Sequence, residues 1–112
     1  MFDLKKTIQD TKVRLKEPTR TPDTLRGVAL LAGAGAKTNH LDAKTRELIA
    51  LAVAVTTRCD GCIAIHAAEA VKLGVSDEEI AEALGVAINL NAGAAMVYST
   101  HVLDAMDALK QT

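Results

Sequence analysis

Apolar positions along this chain fall into stretches that read as helices, separated by proline, glycine and polar turns. Residues 2 to 15 form a first helix with Phe2, Ile8, Val13 and Leu15 as a loose apolar face, and it ends before Pro18. The TRTPD stretch at 19 to 23 is a turn in which Thr21 is placed to cap and Pro22 takes the first helical position. A second helix follows through TLRGVALLAGAGA, its end weakened by Gly33 and Gly35, and residues 36 to 41 read as a loop. The third opens at Leu41 or Asp42, whose carboxylate can cap the free amides, and runs through AKTRELIALAVAVTT to about Arg58. Its second half is apolar on every side, so the expected cover is a second subunit.

A fourth helix starts in CDGC and ends at Leu73, with Gly74 as the glycine beyond its C-terminus. SDEE at 76 to 79 then supplies a capping box, Ser76 at the N-cap and Glu79 at the third helical position. The fifth helix is expected to run to about Leu90 and to break at NAG, 91 to 93, before AAMVYSTHVLDAMDAL makes the last. The reading is one all-α domain of about six helices over residues 1–112, with no repeat or linker.

Composition sharpens this. Alanine is the commonest residue, and there is one phenylalanine, one tyrosine and no tryptophan, which favours helices over sheet. Thirteen basic residues nearly balance fourteen acidic ones for a net charge of -1, scattered along the chain, so no partnership with nucleic acid or an anionic membrane is expected. The longest uninterrupted apolar run, LIALAVAV at 48 to 55, is far short of the roughly 20 residues that span a bilayer. The N-terminal stretch is amphipathic and mixed in charge, unlike a secretory signal. The expectation is a soluble, cytoplasmic protein.

Both cysteines lie in CDGCIAIH, residues 59 to 66. A domain this long needs no disulfide staple, and in a reducing compartment a close pair points to redox or metal chemistry. With Cys59 at the helix start, Cys59, Cys62 and His66 share one stripe, and Cys62 and His66 are i, i+4 neighbours, the separation at which an imidazole can take a thiol proton. The unpaired amides of the first turn lower thiol pKa beside both sulfurs. Inert buried thiols are the bland alternative, but Asp60-Gly61 between the cysteines favours a turn over core packing. Zinc is another, yet a structural site needs a fourth ligand, and His40 and His101 are isolated in the sequence. Glu47, on the same face as Leu51 and Val55, reads from the sequence alone as a solvated first-turn glutamate near Lys44.

The combination E-x11-C-x2-C-x3-H, here Glu47, Cys59, Cys62 and His66, resembles the signature of alkylhydroperoxidase D-like members of the carboxymuconolactone decarboxylase family. The apolar helix before the cysteines, LGVSDEEIAEAL and STHVLDAM extend the likeness over roughly residues 20 to 110. The resemblance implies a thiol-dependent hydroperoxide reductase in antioxidant defence; no cofactor is expected, because the sulfur carries the electrons, and no metal, for want of a fourth ligand. In that scheme Cys62 attacks the peroxide, Cys59 resolves, and Glu47 with His66 relays protons; Ile63, Ile65 and alanine-rich faces could line a pocket for the organic hydroperoxide. It further implies a thiol or lipoyl-type protein as reductant and a homo-oligomer, trimer or hexamer. One departure stands out: Gly61 occupies the position before the second cysteine, where the better-studied peroxidases of this type have a histidine. The retained cysteines argue against lactone decarboxylation. A general thiol-disulfide oxidoreductase or redox sensor, or a non-catalytic helical module, is the alternative.

Overall fold

The computed structural model describes residues 3–17 and 21–111, and among them every regular element is helical: α1 (Leu4–Leu15), α2 (Pro22–Thr38), α3 (Ala43–Thr57), α4 (Asp60–Lys72), α5 (Asp77–Tyr98) and α6 (Thr100–Lys110). Phe2, Pro18 and the first two residues of the TRTPD turn lie outside the described residues. The all-α expectation is met.

Helix starts follow their caps. Asp3 accepts from Lys6 N–H at 3.1 Å, and Asp42 accepts from Thr45 N–H at 2.8 Å. Ser76 and Glu79 close the anticipated box, with Glu79 N–H on Ser76 Oγ at 3.1 Å and Ser76 N–H on Glu79 Oε1 at 2.9 Å. Thr21 occupies the N-cap of α2 with Pro22 just inside, but its hydroxyl pairs with Thr24 Oγ1 instead of a backbone amide. At the end of α4, Gly74 adopts φ +76°, Val75 N–H reaches Ala70 C=O at 3.0 Å and Gly74 N–H reaches Val71 C=O at 3.1 Å, the paired closure that a left-handed residue permits.

Two helix ends differ from the sequence reading. Gly33 and Gly35 do not weaken α2, which continues to Thr38 and stops at Asn39 in the left-handed region, φ 52°. Gly35 has a packing role there: a Cβ on it would lie 2.9 Å from Arg46 Cδ. Arg46 crosses that open spot to reach Asn39 Oδ1 at 2.9 Å and the Leu41 carbonyl, pinning the α2–α3 connection onto α3. Likewise NAG is no break. Asn91 turns its amide back onto Ala87 C=O at 2.7 Å, and α5 runs unbroken to Tyr98. The interruption falls at Ser99, whose hydroxyl bonds Met96 C=O at 2.5 Å, and α6 begins at the next residue.

Helices α3, α4 and α5 make the centre of the domain, and α1 packs on α4. What they bury is small: Ala54, Ala64, Ala70 and Ala87, with Leu51 the one large side chain. Lys44 and Glu79 pair at 3.3 Å to tie α3 to α5. Beyond this centre much apolar surface is open. Ile49, Val53 and Val55 of the LIALAVAV run are exposed, as are Leu30 and Leu31 on α2, Val86, Ile88 and Leu90 on α5, and Val102 and Leu103 on α6. Because α5 and α6 are nearly continuous, Asp77–Lys110 forms a stretch long and apolar enough to cross a membrane by length and composition, with 6% of its most apolar window buried. The sequence reading split this segment at NAG and so did not register it.

Candidate active site

Two features of α3 and its exit position the site. Arg58, the residue after α3 ends, sits in the left-handed region at φ 56°, and the chain reverses there. Cys59 N–H still closes onto Ala54 C=O at 3.0 Å, so Cys59 leaves α3 and caps α4 at the same time.

Cys59 is the N-cap itself, with extended backbone, and its Sγ accepts the Cys62 N–H at 3.1 Å. The sulfur therefore stands where a serine or aspartate oxygen usually does. Cys59 and Cys62 are joined as a disulfide, Cα to Cα 5.2 Å. Cys59 is half-buried and Cys62 exposed. Asp60 follows the cap and is exposed.

One turn further along α4, His66 Nδ1 lies 2.7 Å from Glu47 Oε2 on α3. Glu47 is the better-buried partner, 16% exposed against 38% for the imidazole. The reading of Glu47 as a solvated glutamate beside Lys44 is thus corrected: its carboxylate holds the histidine, and Lys44 goes to Glu79 instead. The physical reason lies in the α3–α4 contact. Alanines at 54, 64 and 70 let the two helices approach closely, and the side chains above them are brought within hydrogen-bond reach. With a carboxylate as acceptor, Nδ1 carries the hydrogen and Nε2 is the nitrogen left for proton exchange.

Gly61 lies under α1. A Cβ at this position would meet Thr11 Oγ1 at 3.5 Å and Thr11 Cγ2 at 3.7 Å, so anything longer than alanine would press on α1. Neither Thr11 nor the left-handed Arg58 was singled out from sequence, and no periodicity or spacing marks them. Ile63 does line a cavity, of about 220 Å³, with Leu51, Val55, Ala67, Ile80 and Leu84 between α3, α4 and α5. Ile65 is not among its walls and is exposed. His101 stacks on Tyr98 with ring centroids 4.4 Å apart, at the α5–α6 junction, and His40 is exposed in the α2–α3 connection. Among the described residues no cluster of three or more histidine, cysteine, aspartate or glutamate side chains is arranged to hold a metal ion.

Residues 22–105 match the sequence model of the carboxymuconolactone decarboxylase family. The chain belongs to that family. Its fold resembles the crystal structure of an apo carboxymuconolactone decarboxylase family protein from Legionella pneumophila, with TM-score 0.71 and 36% identity over 93% of this chain and 94% of that one. An uncharacterized protein of Haemophilus influenzae is 58% identical over 80% of this chain and 79% of its own length. Another, from Cupriavidus necator, is 31% identical over 89% of this chain and 96% of its own. The family includes decarboxylases and alkylhydroperoxidases. The matched span contains Glu47, Cys59, Cys62 and His66 together, while all of α1, Thr11 included, lies before it.

Proposed function

We propose that this member of the carboxymuconolactone decarboxylase family is a thiol-dependent hydroperoxide reductase that acts as a homo-oligomer. The observation that carries the proposal is the Glu47–His66 pair at 2.7 Å, one helical turn beyond a joined Cys59–Cys62 pair. A disulfide alone fits many roles. A carboxylate-held imidazole i+4 from an exposed cysteine fits thiol activation.

In the proposed cycle, the Cys62 thiolate attacks the distal oxygen of a hydroperoxide. The O–O bond breaks, the alcohol or water leaves with a proton relayed through His66, and Cys62 becomes a sulfenic acid. The Cys59 thiolate then attacks that sulfur, water departs, and the disulfide forms. A dithiol donor of the thiol or lipoyl-bearing type returns two electrons and restores both cysteines. No further electron carrier is required, because the sulfurs hold the oxidising equivalents. Apolar walls beside Ile63 suit an alkyl substituent on the substrate.

A second reading, a thiol-disulfide oxidoreductase with slow peroxide turnover, is favoured by one observation. Thr11 of α1 lies against Gly61, so the place where related peroxidases carry an additional histidine holds a methyl and a hydroxyl instead. Peroxide consumption with dithiothreitol as donor separates the two. Multiple turnovers in the wild type, lost in Cys62→Ser, support the reductase; one equivalent of oxidant consumed without turnover would replace it with the oxidoreductase.

A further inference from the structure

Exchange between a thiol and a disulfide is directional, since the attacking thiolate approaches one sulfur while the other departs with the electron pair. Its rate depends on access to the first and on the thiolate stability of the second. Both factors point the same way here. Cys62 is exposed and Cys59 half-buried. Cys59 Sγ accepts the Cys62 N–H at 3.1 Å at the start of α4, where the aligned amides place partial positive charge. Among the described residues, no hydrogen bond reaches Cys62 Sγ in this way.

We infer that reductants enter at Cys62 and that Cys59 is the leaving thiolate, so the second cysteine of the pair faces the outside in both halves of the cycle. This rests on the disulfide being a turnover intermediate, as proposed above, but it concerns thiols and not peroxide. The donor thiolate attacks Cys62 Sγ, the Cys59–Cys62 bond breaks, and its electron pair stays on Cys59 Sγ, held by the Cys62 N–H. The second thiol of a dithiol donor, as thiolate, then attacks the donor sulfur of the mixed disulfide. Cys62 leaves with the second electron pair, the donor becomes a disulfide, and the two protons the donor has lost end on Cys59 and Cys62. His66, one turn from Cys62, is placed to pass one of them. The order is opposite to that of a Cys-x-x-Cys pair whose first sulfur is the accessible one.

The test uses oxidised wild-type protein, excess reduced glutathione as a monothiol probe, and N-ethylmaleimide added at early times to cap the freed cysteine. Cleavage after Arg58 and Lys72 gives a single peptide, residues 59 to 72, carrying both sites, and fragmentation assigns each adduct. The expected product carries glutathione on Cys62 and maleimide on Cys59, in about tenfold excess over the reverse isomer. An equal mixture or an excess of the reverse isomer overturns the inference. To exclude migration of the adduct, the isomer ratio is followed over successive quench times and extrapolated to zero time; a ratio that extrapolates to unity counts against the inference. Since no peroxide is used, a failed peroxidase assay leaves this result standing. A disulfide that no thiol opens overturns it together with the turnover reading.

Discussion

At the scale of single residues, Glu47 is the instructive case. Nothing in RELIALAVAV distinguishes a solvated glutamate near a helix start from one aimed at a neighbouring helix, because helical period fixes a face and not what lies across from it. The answer depends on how closely α4 approaches α3, and the alanines that set this distance are commonplace residues. Only the joint spacing with Cys59, Cys62 and His66 raised Glu47 above its neighbours. The cysteine pair and His66 were legible by themselves, since i, i+3 and i, i+4 separations translate directly into proximity. If Glu47 orients the imidazole and carries protons, Glu47→Gln keeps the shape and removes the charge, and oxidation of Cys62 by peroxide should slow by ~10² with helicity unchanged. Stopped-flow oxidation followed by circular dichroism checks both parts. An unchanged rate would leave the 2.7 Å contact as a packing feature.

At the scale of elements, capping was legible and helix length was not. Ser76 and Glu79 satisfy one another's backbone amides as anticipated, and Ser76→Ala should cost about 1 kcal/mol, measurable by denaturant titration. Glycine and asparagine misled. Each lowers helix propensity by an amount of about 1 kcal/mol or less, which Leu90, Ala92, Ala94 and Ala95 around them outweigh, and Asn91 has a carbonyl of its own helix to bond. Capping also has a pH signature. The Ser76 N–H, with Lys44 beside it, holds the Glu79 carboxyl below the usual carboxylate range, and hydrogen bonds from Thr45 do the same for Asp42. A carboxyl depressed in the folded state adds stability that is fully present above its unfolded pKa and lost as pH falls through its folded one. Stability should therefore decline on the acid side as these two carboxylates protonate, and Glu79→Gln should make that decline shallower. A parallel acid limb in the variant would mean the cap contributes no pH dependence.

For the molecule as a whole, the surface decides the argument. A chain of 11.8 kDa folded as a self-sufficient globule exposes about 5,900 Å² and has a radius of gyration near 13 Å. This one exposes 8942 Å² and has a radius of 18.7 Å. The excess, about 3,000 Å², is several times the ~800 Å² that one partner contributes to a standard interface. It includes apolar side chains on all six helices, among them Leu31 on α2, Val53 on α3, Val71 on α4, Val97 on α5 and Leu103 on α6. The LIALAVAV run hinted at a missing cover, but the larger open surfaces on α2, α5 and α6 were not legible, because helical period cannot say whether an apolar face meets its own chain or another. Two covers fit such a surface, lipid and further copies of the chain. Asn89, Asn91, Ser99, Thr100 and His101 interrupt the apolar part of Asp77–Lys110 at mid-length, and polar groups there are costly in hydrocarbon but ordinary between helices of neighbouring subunits. The excess area also calls for more than one neighbour per chain, which a closed ring supplies. The expected outcome is a detergent-free particle of three or more copies, whose mass by light scattering and helicity by circular dichroism fall together on dilution. A fully helical monomer at micromolar protein, or partition into membranes that survives a carbonate wash, would each overturn the oligomer. Loss of mass with helicity retained would show that the three-helix centre around Leu51, Ala64 and Ala87 holds by itself, and that the Cys59–Cys62 site does not depend on assembly.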